Sequence, residues 1–312
     1  MEMYSSRNRN ARSLKAWLTP VLALLLCAVK MNGGPLMPAI AATGLDSDGV
    51  TLIAPNSADF DSLVAKIMNN EAAGPALWLK PYLVIVSNQT SRTVVAYDIL
   101  WKLRYKDGRS EQSFVQFKYP DALAGAADTG MHSAHESPQP LLPGKQKLSA
   151  MSLEFGPEIV ALPGWEDFLR DGTRNQTSEF VDVVKIEIEL DAAIFDDGVL
   201  VGKDAGNLGS HFAAYVEAKQ KLFHSVVAGL EAKQSTDEVF APIKAAAEIE
   251  PGKAAKRMAG DPLALYPMLA AEEILGLRSR IGDQAVYSFF KNAIRKEPFV
   301  VRRRSTESQG GK

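Results

Sequence analysis

Apolar and polar positions alternate with a period of two through Val95, Tyr97, Ile99, Trp101, Leu103 and Tyr105, with Asp98, Lys102 and Arg104 between them. That period places the apolar set on one face of a pleated strand and the charges on the other. Asp107-Gly108 marks a hairpin turn, and Val115, Phe117 and Tyr119 then alternate with Gln116 and Lys118 on a return strand. Leu83 to Val86 is a short apolar run before the turn-prone Asn88-Gln89-Thr90, and Pro143-Gly144 precedes a strand expected over Leu148 to Phe155. The cleanest alternation sets Val184, Ile186, Ile188, Leu190, Ala192 and Ile194 against Lys185, Glu187, Glu189 and Asp191. Asp197-Gly198 turns this strand back into Val199-Leu200-Val201, and a short leading helix is expected within Ala58 to Asn70.

After residue 204 the spacing changes to threes and fours. Leu208, Phe212, Tyr215, Val216, Leu222, Phe223, Val226, Val227 and Leu230 form one stripe of an amphipathic helix. Ser235-x-x-Glu238 reads as a capping box that opens the next helix. A third helix is expected from near Pro267, and Gly282-Asp283 separates it from a fourth carrying Val286, Phe289, Phe290 and Ile294. The pattern predicts an α+β chain: an antiparallel immunoglobulin-like β-sandwich over 42–204, a small α-helical domain over 205–298, and a basic polar tail over 299–312, expected to fray.

Arg7, Arg9, Arg12 and Lys15 precede a mostly apolar run from Ala16 to Val29, and Ala39-x-Ala41 follows. Residues 1–41 therefore read as a secretory signal peptide, with an uncleaved membrane anchor as the alternative. The one cysteine, Cys27, lies inside that run behind Leu26, so a chain beginning after Ala41 has no thiol chemistry and no disulfide. The expected location is the periplasm or cell envelope of a bacterium.

The chain has 312 residues and a formal net charge of −2, which gives no support to a nucleic-acid binder. Charge is divided unevenly. Residues 42–204 hold 14 basic against 24 acidic side chains, whereas residues 205–312 hold 16 against 12. Membrane contact is expected only through the N-terminal segment or the tail, where Arg302, Arg303 and Arg304 form a lipid or anion contact.

Candidate chemistry is sparse. His132-x-x-His135-Glu136, in the loop 121–140, supplies two imidazoles and a carboxylate suited to Zn²⁺, although Glu136 follows both histidines where the zinc-protease pattern places it between them. His211 and His224, thirteen positions apart on one helix, point to different sides and do not share an ion. Asp46-x-Asp48-Gly49 and Asp196-Asp197-Gly198 lack the full ligand set of a calcium loop, and Gly198 to Lys203 is one residue short of a phosphate loop. Trp101 belongs to a core face, whereas Trp165 in a Pro-Gly turn is the tryptophan expected to touch a partner. The resulting expectation is a non-enzymatic protein-interaction module with an unidentified protein partner and no cofactor. The alternatives are a metal-dependent hydrolase built on the 121–140 loop, or binding of a lipid or small apolar ligand by the helical domain.

Overall fold

Two long strands, β4 (Val94–Tyr105) and β8 (Val183–Phe195), pair antiparallel at the centre of the larger sheet. The computed structural model describes residues 38–68, 80–119, 140–150, 154–155, 182–248, 262–294, 297 and 299–304. Within them the chain is a mixed α+β structure with two sheets and four α-helices.

Strand β5 (Ser110–Lys118) returns along β4 through the Asp107-Gly108 turn, and β9 (Val199–Gly202) returns along β8. Two further strands complete this six-stranded sheet: β1 (Ala39–Thr43) runs parallel to β8, and β10 (Arg302–Arg303) runs parallel to β9. The four-stranded sheet has the order β2 (Val50–Ile53), β3 (Leu83–Asn88), β6 (Gln146–Ala150), β7 (Glu154–Phe155), all antiparallel. One apolar cluster draws on both sheets, with Val50, Val84 and Val86 on one side and Tyr97, Ile99, Trp101, Ile186, Ile188 and Leu190 on the other.

Four expectations from the sequence are corrected. The six-stranded sheet is not wholly antiparallel, because segments from both ends of the described chain lie parallel on the open edge of β8 and β9. The tail does not fray from its start: Arg302 and Arg303 pair with Val199 and Leu200, and the Arg304 amide donates to the Leu200 carbonyl at 3.0 Å. Leu148 to Phe155 is two strands, since Leu148 pairs antiparallel with Phe155. The strict alternation also breaks at register shifts between β4 and β8. An extra residue moves every later side chain to the opposite face. Val183, Ala193 and Phe195, with Val94 on β4, therefore join the core between the sheets. Val95, Ala96, Ala192 and Ile194 face the other way, toward Leu208, Phe212 and Val216, and Val184 is left 39% exposed.

Helix α1 (Phe60–Ile67) buries Phe60 and Val64. Helix α2 (Leu208–Glu231) lays Leu208, Phe212 and Val216 on the outer face of the six-stranded sheet, against Val95, Ala192 and Leu200. Its distal half joins α3 (Thr236–Ala247) and α4 (Tyr266–Ala293) around Phe223, Phe240, Ile274 and Phe290. The capping box of α3 is formed: the Glu238 amide donates to Ser235 Oγ, and the Ser235 amide donates to Glu238 Oε2. Gly282 interrupts α4 with φ 78° and ψ 168°, values that only glycine adopts without strain.

Candidate functional site

The face of β4 expected to meet solvent is covered at Ala96 and Asp98 by helix α2 and the turn before it, and its carboxylate is buried there. Further along the strand, Lys102 is half-buried and Arg104 exposed. Asp98 has no exposed surface, and Asp191 on β8 is 1% exposed. The pairing places Asp98 opposite Ala192 and Ile99 opposite Leu190, so Asp191 is the extra residue of a β-bulge. Bulges re-aim side chains, and this one sets Asp191 close enough for its charge to raise the Asp98 carboxyl.

The turn from β9 to α2 closes over the pair. The Lys203 amide donates to the Asp191 carbonyl at 2.7 Å, and the Gly206 amide donates to Asp191 Oδ2 at 3.1 Å. Gln116, the β5 partner of Asp98, donates its Nε2 to Asp98 Oδ2 at 3.2 Å and to the Gly206 carbonyl at 2.7 Å. Gly206 is required sterically, since a Cβ there would overlap Asp98 Oδ2 and press on the Phe114 ring. Asp204, in the left-handed region at φ 58°, accepts from the Gly209 amide at 3.1 Å. It thereby caps α2, whose N-cap Asn207 makes no side-chain cap, and places a negative charge at the positive end of the helix.

A second chain of polar groups lies beside the pair. Lys118 Nζ on β5 donates to the Tyr266 hydroxyl of α4 at 3.1 Å, and that hydroxyl is 2.7 Å from His211 Nδ1 on α2. Burial holds the Lys118 amine down at about 8, against the opposing pull of Asp98, and pushes the Tyr266 hydroxyl up to about 12. Burial, followed by the charge of Lys118, lowers His211. A neutral His211 accepts the Tyr266 proton at Nδ1, which leaves the hydroxyl oxygen free to accept from Lys118. Burial raises Asp98 to about 7, with Asp191 and Asp204 adding to the rise and Gln116 and Lys118 opposing it. Both Asp98 Oδ1 and Asp191 Oδ1 are buried without a hydrogen-bond partner. The arrangement can therefore hold and release a proton. The 203–207 turn covers both carboxylates, which are buried beneath it.

His132, His135, Glu136 and Trp165 lie outside the described residues. Among the described residues no group of three or more His, Cys, Asp or Glu side chains is placed to hold a metal. His211 is half-buried against Tyr266, and His224 is exposed further along the same helix. The three tail arginines meet groups of their own chain. Arg302 Nη2 lies 3.4 Å from the Asp197 carbonyl, Arg303 Nη2 3.4 Å from Asp204 Oδ2, and Arg304 Nη1 2.5 Å from Asp48 Oδ1. Among the described residues no helix is long and apolar enough to cross a membrane.

Sequence reasoning missed Asp98, Gln116, Lys118, Asp191, Gly206 and Tyr266. A period of two assigns a strand's charges to solvent, and it carries no sign of a helix covering that face. No family model matches the chain, and neither a curated protein nor a solved structure matches it.

Proposed function

We propose that the chain is an exported bacterial envelope protein without catalytic activity, and that it captures a protein partner through the edge of its larger sheet. The carrying observation is β5, which pairs with β4 alone among the described strands and whose residues Ser110, Glu111, Gln112 and Ser113 are exposed. A strand with one open side accepts an extended segment by main-chain hydrogen bonds. An immunoglobulin-like sandwich is the architecture we infer. The order β5-β4-β8-β9 faces β2-β3-β6-β7 across a shared core, as two Greek-key sheets do. The interior of the helical unit is filled by its own rings, with Phe223 and Phe290 stacked at 4.4 Å between centroids. That filling favours a docking or bracing role for the helices over a lipid cavity. In this reading the basic and apolar N-terminal segment directs export, and processing falls before Ala39, because Ala39 to Ala41 belong to β1.

The test places a photo-crosslinking amino acid at Ser113 in the native host, with exposed Lys233 in the turn between α2 and α3 as control. A discrete adduct at Ser113 and none at Lys233 is expected. Absence of an adduct at Glu111, Gln112 and Ser113 alike overturns the reading.

A further inference from the structure

We infer that Asp98 and Asp191 share one proton and form a latch that holds the 203–207 turn, and with it the start of helix α2, against the sheet, tight in acid and loosened as the pH rises toward neutrality. This goes beyond the partner reading and does not depend on it.

The geometry carries the argument. Two carboxylates buried on neighbouring strands each leave Oδ1 without a donor, while each Oδ2 is taken by Gln116 or the Gly206 amide. A buried acceptor without a donor is costly, and two carboxylate charges side by side in a dry site repel. One proton held by the pair removes one of the two charges and turns an orphaned acceptor into a donor, as in other carboxyl pairs brought together by a fold. The turn it secures hangs on the same groups. Gly206 donates to Asp191, accepts from Gln116 and lies against Asp98, and the Lys203 amide bonds to the Asp191 carbonyl. Loss of the proton sets the two strands and the turn against each other at the point where α2 begins.

Every packed element contributes charged or titratable groups. Strand β4 contributes Asp98, β5 contributes Lys118, and β8 contributes Asp191 and Glu189, the latter engaged by Lys102 and Lys203. The turn contributes Lys203 and Asp204, β10 contributes Arg303 on Asp204, α2 contributes His211, and α4 contributes Tyr266. Tyr266 is raised and does not titrate in this window, whereas His211 is lowered from 6.5, so an opened state takes up its proton there and its contribution runs opposite to that of Asp98. Lys118 changes charge near 8, above the window in which Asp98 changes from its ordinary value of 3.8 to about 7. In that window the folded state holds a proton that an opened state releases. Opening therefore rises with pH by up to about tenfold per unit and levels off above 7.

The experiment is hydrogen exchange of the full chain at pH 5 to 7.5, corrected for intrinsic rates and read on peptides covering 203–212. The wild type is expected to open more readily at pH 7 than at pH 5, by up to about fiftyfold, the full Asp98 contribution. Asp98→Asn keeps the shape, donates to Asp191 without a titrating proton, and is expected to flatten that dependence. Asp191→Asn supplies a second variant, also expected to flatten it, if the first does not fold. A wild type whose opening is unchanged between pH 5 and 7 overturns the latch, as does a wild-type slope retained in both variants. Restored protection at pH 7.5 on adding Ca²⁺ or Mg²⁺ also overturns it, since a cation rather than a proton would then satisfy the two oxygens.

Discussion

Arg304 Nη1 lies 2.5 Å from Asp48 Oδ1, joining positions 256 apart in sequence. The pair is the outer end of a longer seam. Val300 and Val301 lead into β10, and the Phe299 ring stands edge-on to Phe212 of α2 at 5.6 Å. The last described segment thus fastens β9, the start of α2 and the turn beside β1 to one another.

Most of the strength of that seam is apolar. Arg304 is 61% exposed at its side chain, and exposed pairs contribute about 0–1 kcal/mol, so Arg304→Ala is expected to change stability by less than about 1 kcal/mol. Phe299→Ala removes a ring packed on Phe212 and is expected to cost about 2 kcal/mol, less than a fully buried ring. Urea unfolding of the two variants checks the order. Equal losses would place the strength in the ion pair instead.

Gly206 and Gly276 should respond to the same substitution with opposite sign. Gly206→Ala drives a methyl group into Asp98 Oδ2 and Phe114, and an expected loss of about 2–3 kcal/mol follows from overpacking a filled site. Gly276 lies exposed within α4 with nothing near its Cβ position, so Gly276→Ala is expected to stabilise by about 0.5–1 kcal/mol. Thermal unfolding of both variants at one pH reads the contrast directly.

Lys118 should titrate well below an ordinary lysine. Its amine is held down at about 8 from 10.5 by burial, so competitive amine labelling against pH should show half-reaction near 8 at this residue. The sign for stability follows. Between about 8 and 10.5 the unfolded chain binds the extra proton, so this group's contribution to folding grows as pH rises through that interval and is smallest below 8. Lys118→Met should remove that rise, read as unfolding midpoints at pH 8 and pH 10.

The start of the chain offers a direct comparison. A chain beginning at Ala42 loses the pairing of Ala39, Ile40 and Ala41 with Lys185, Ile186 and Glu187, and it loses the packing of Ile40 on the core. Relative to a chain beginning at Pro38, an expected loss of about 2–3 kcal/mol follows from one apolar side chain and a short ladder. N-terminal sequencing of protein recovered from its native host should give a first residue at or before Ala39.

The local elements are legible along the chain, because each is encoded by neighbours. The period of two marked β4, β5 and β8, the spacing of threes and fours marked α2, Ser235 and Glu238 capped α3, and glycine turned the hairpins and broke α4 at Gly282. The β-bulges, the strand in the tail, the parallel docking of β1 and the buried acidic pair were decided by tertiary structure alone. Asp98 and Asp191 look like ordinary outward charges, since alternation says which residues share a face and nothing of what covers it. A helix that begins at Leu208, thirteen positions after β8 ends at Phe195, and a glycine small enough to lie on a carboxylate, turned that outward face inward. Burial, which removes solvent from both charges, is a property of contacts between distant segments, and so the proton-holding site became visible only once those segments met.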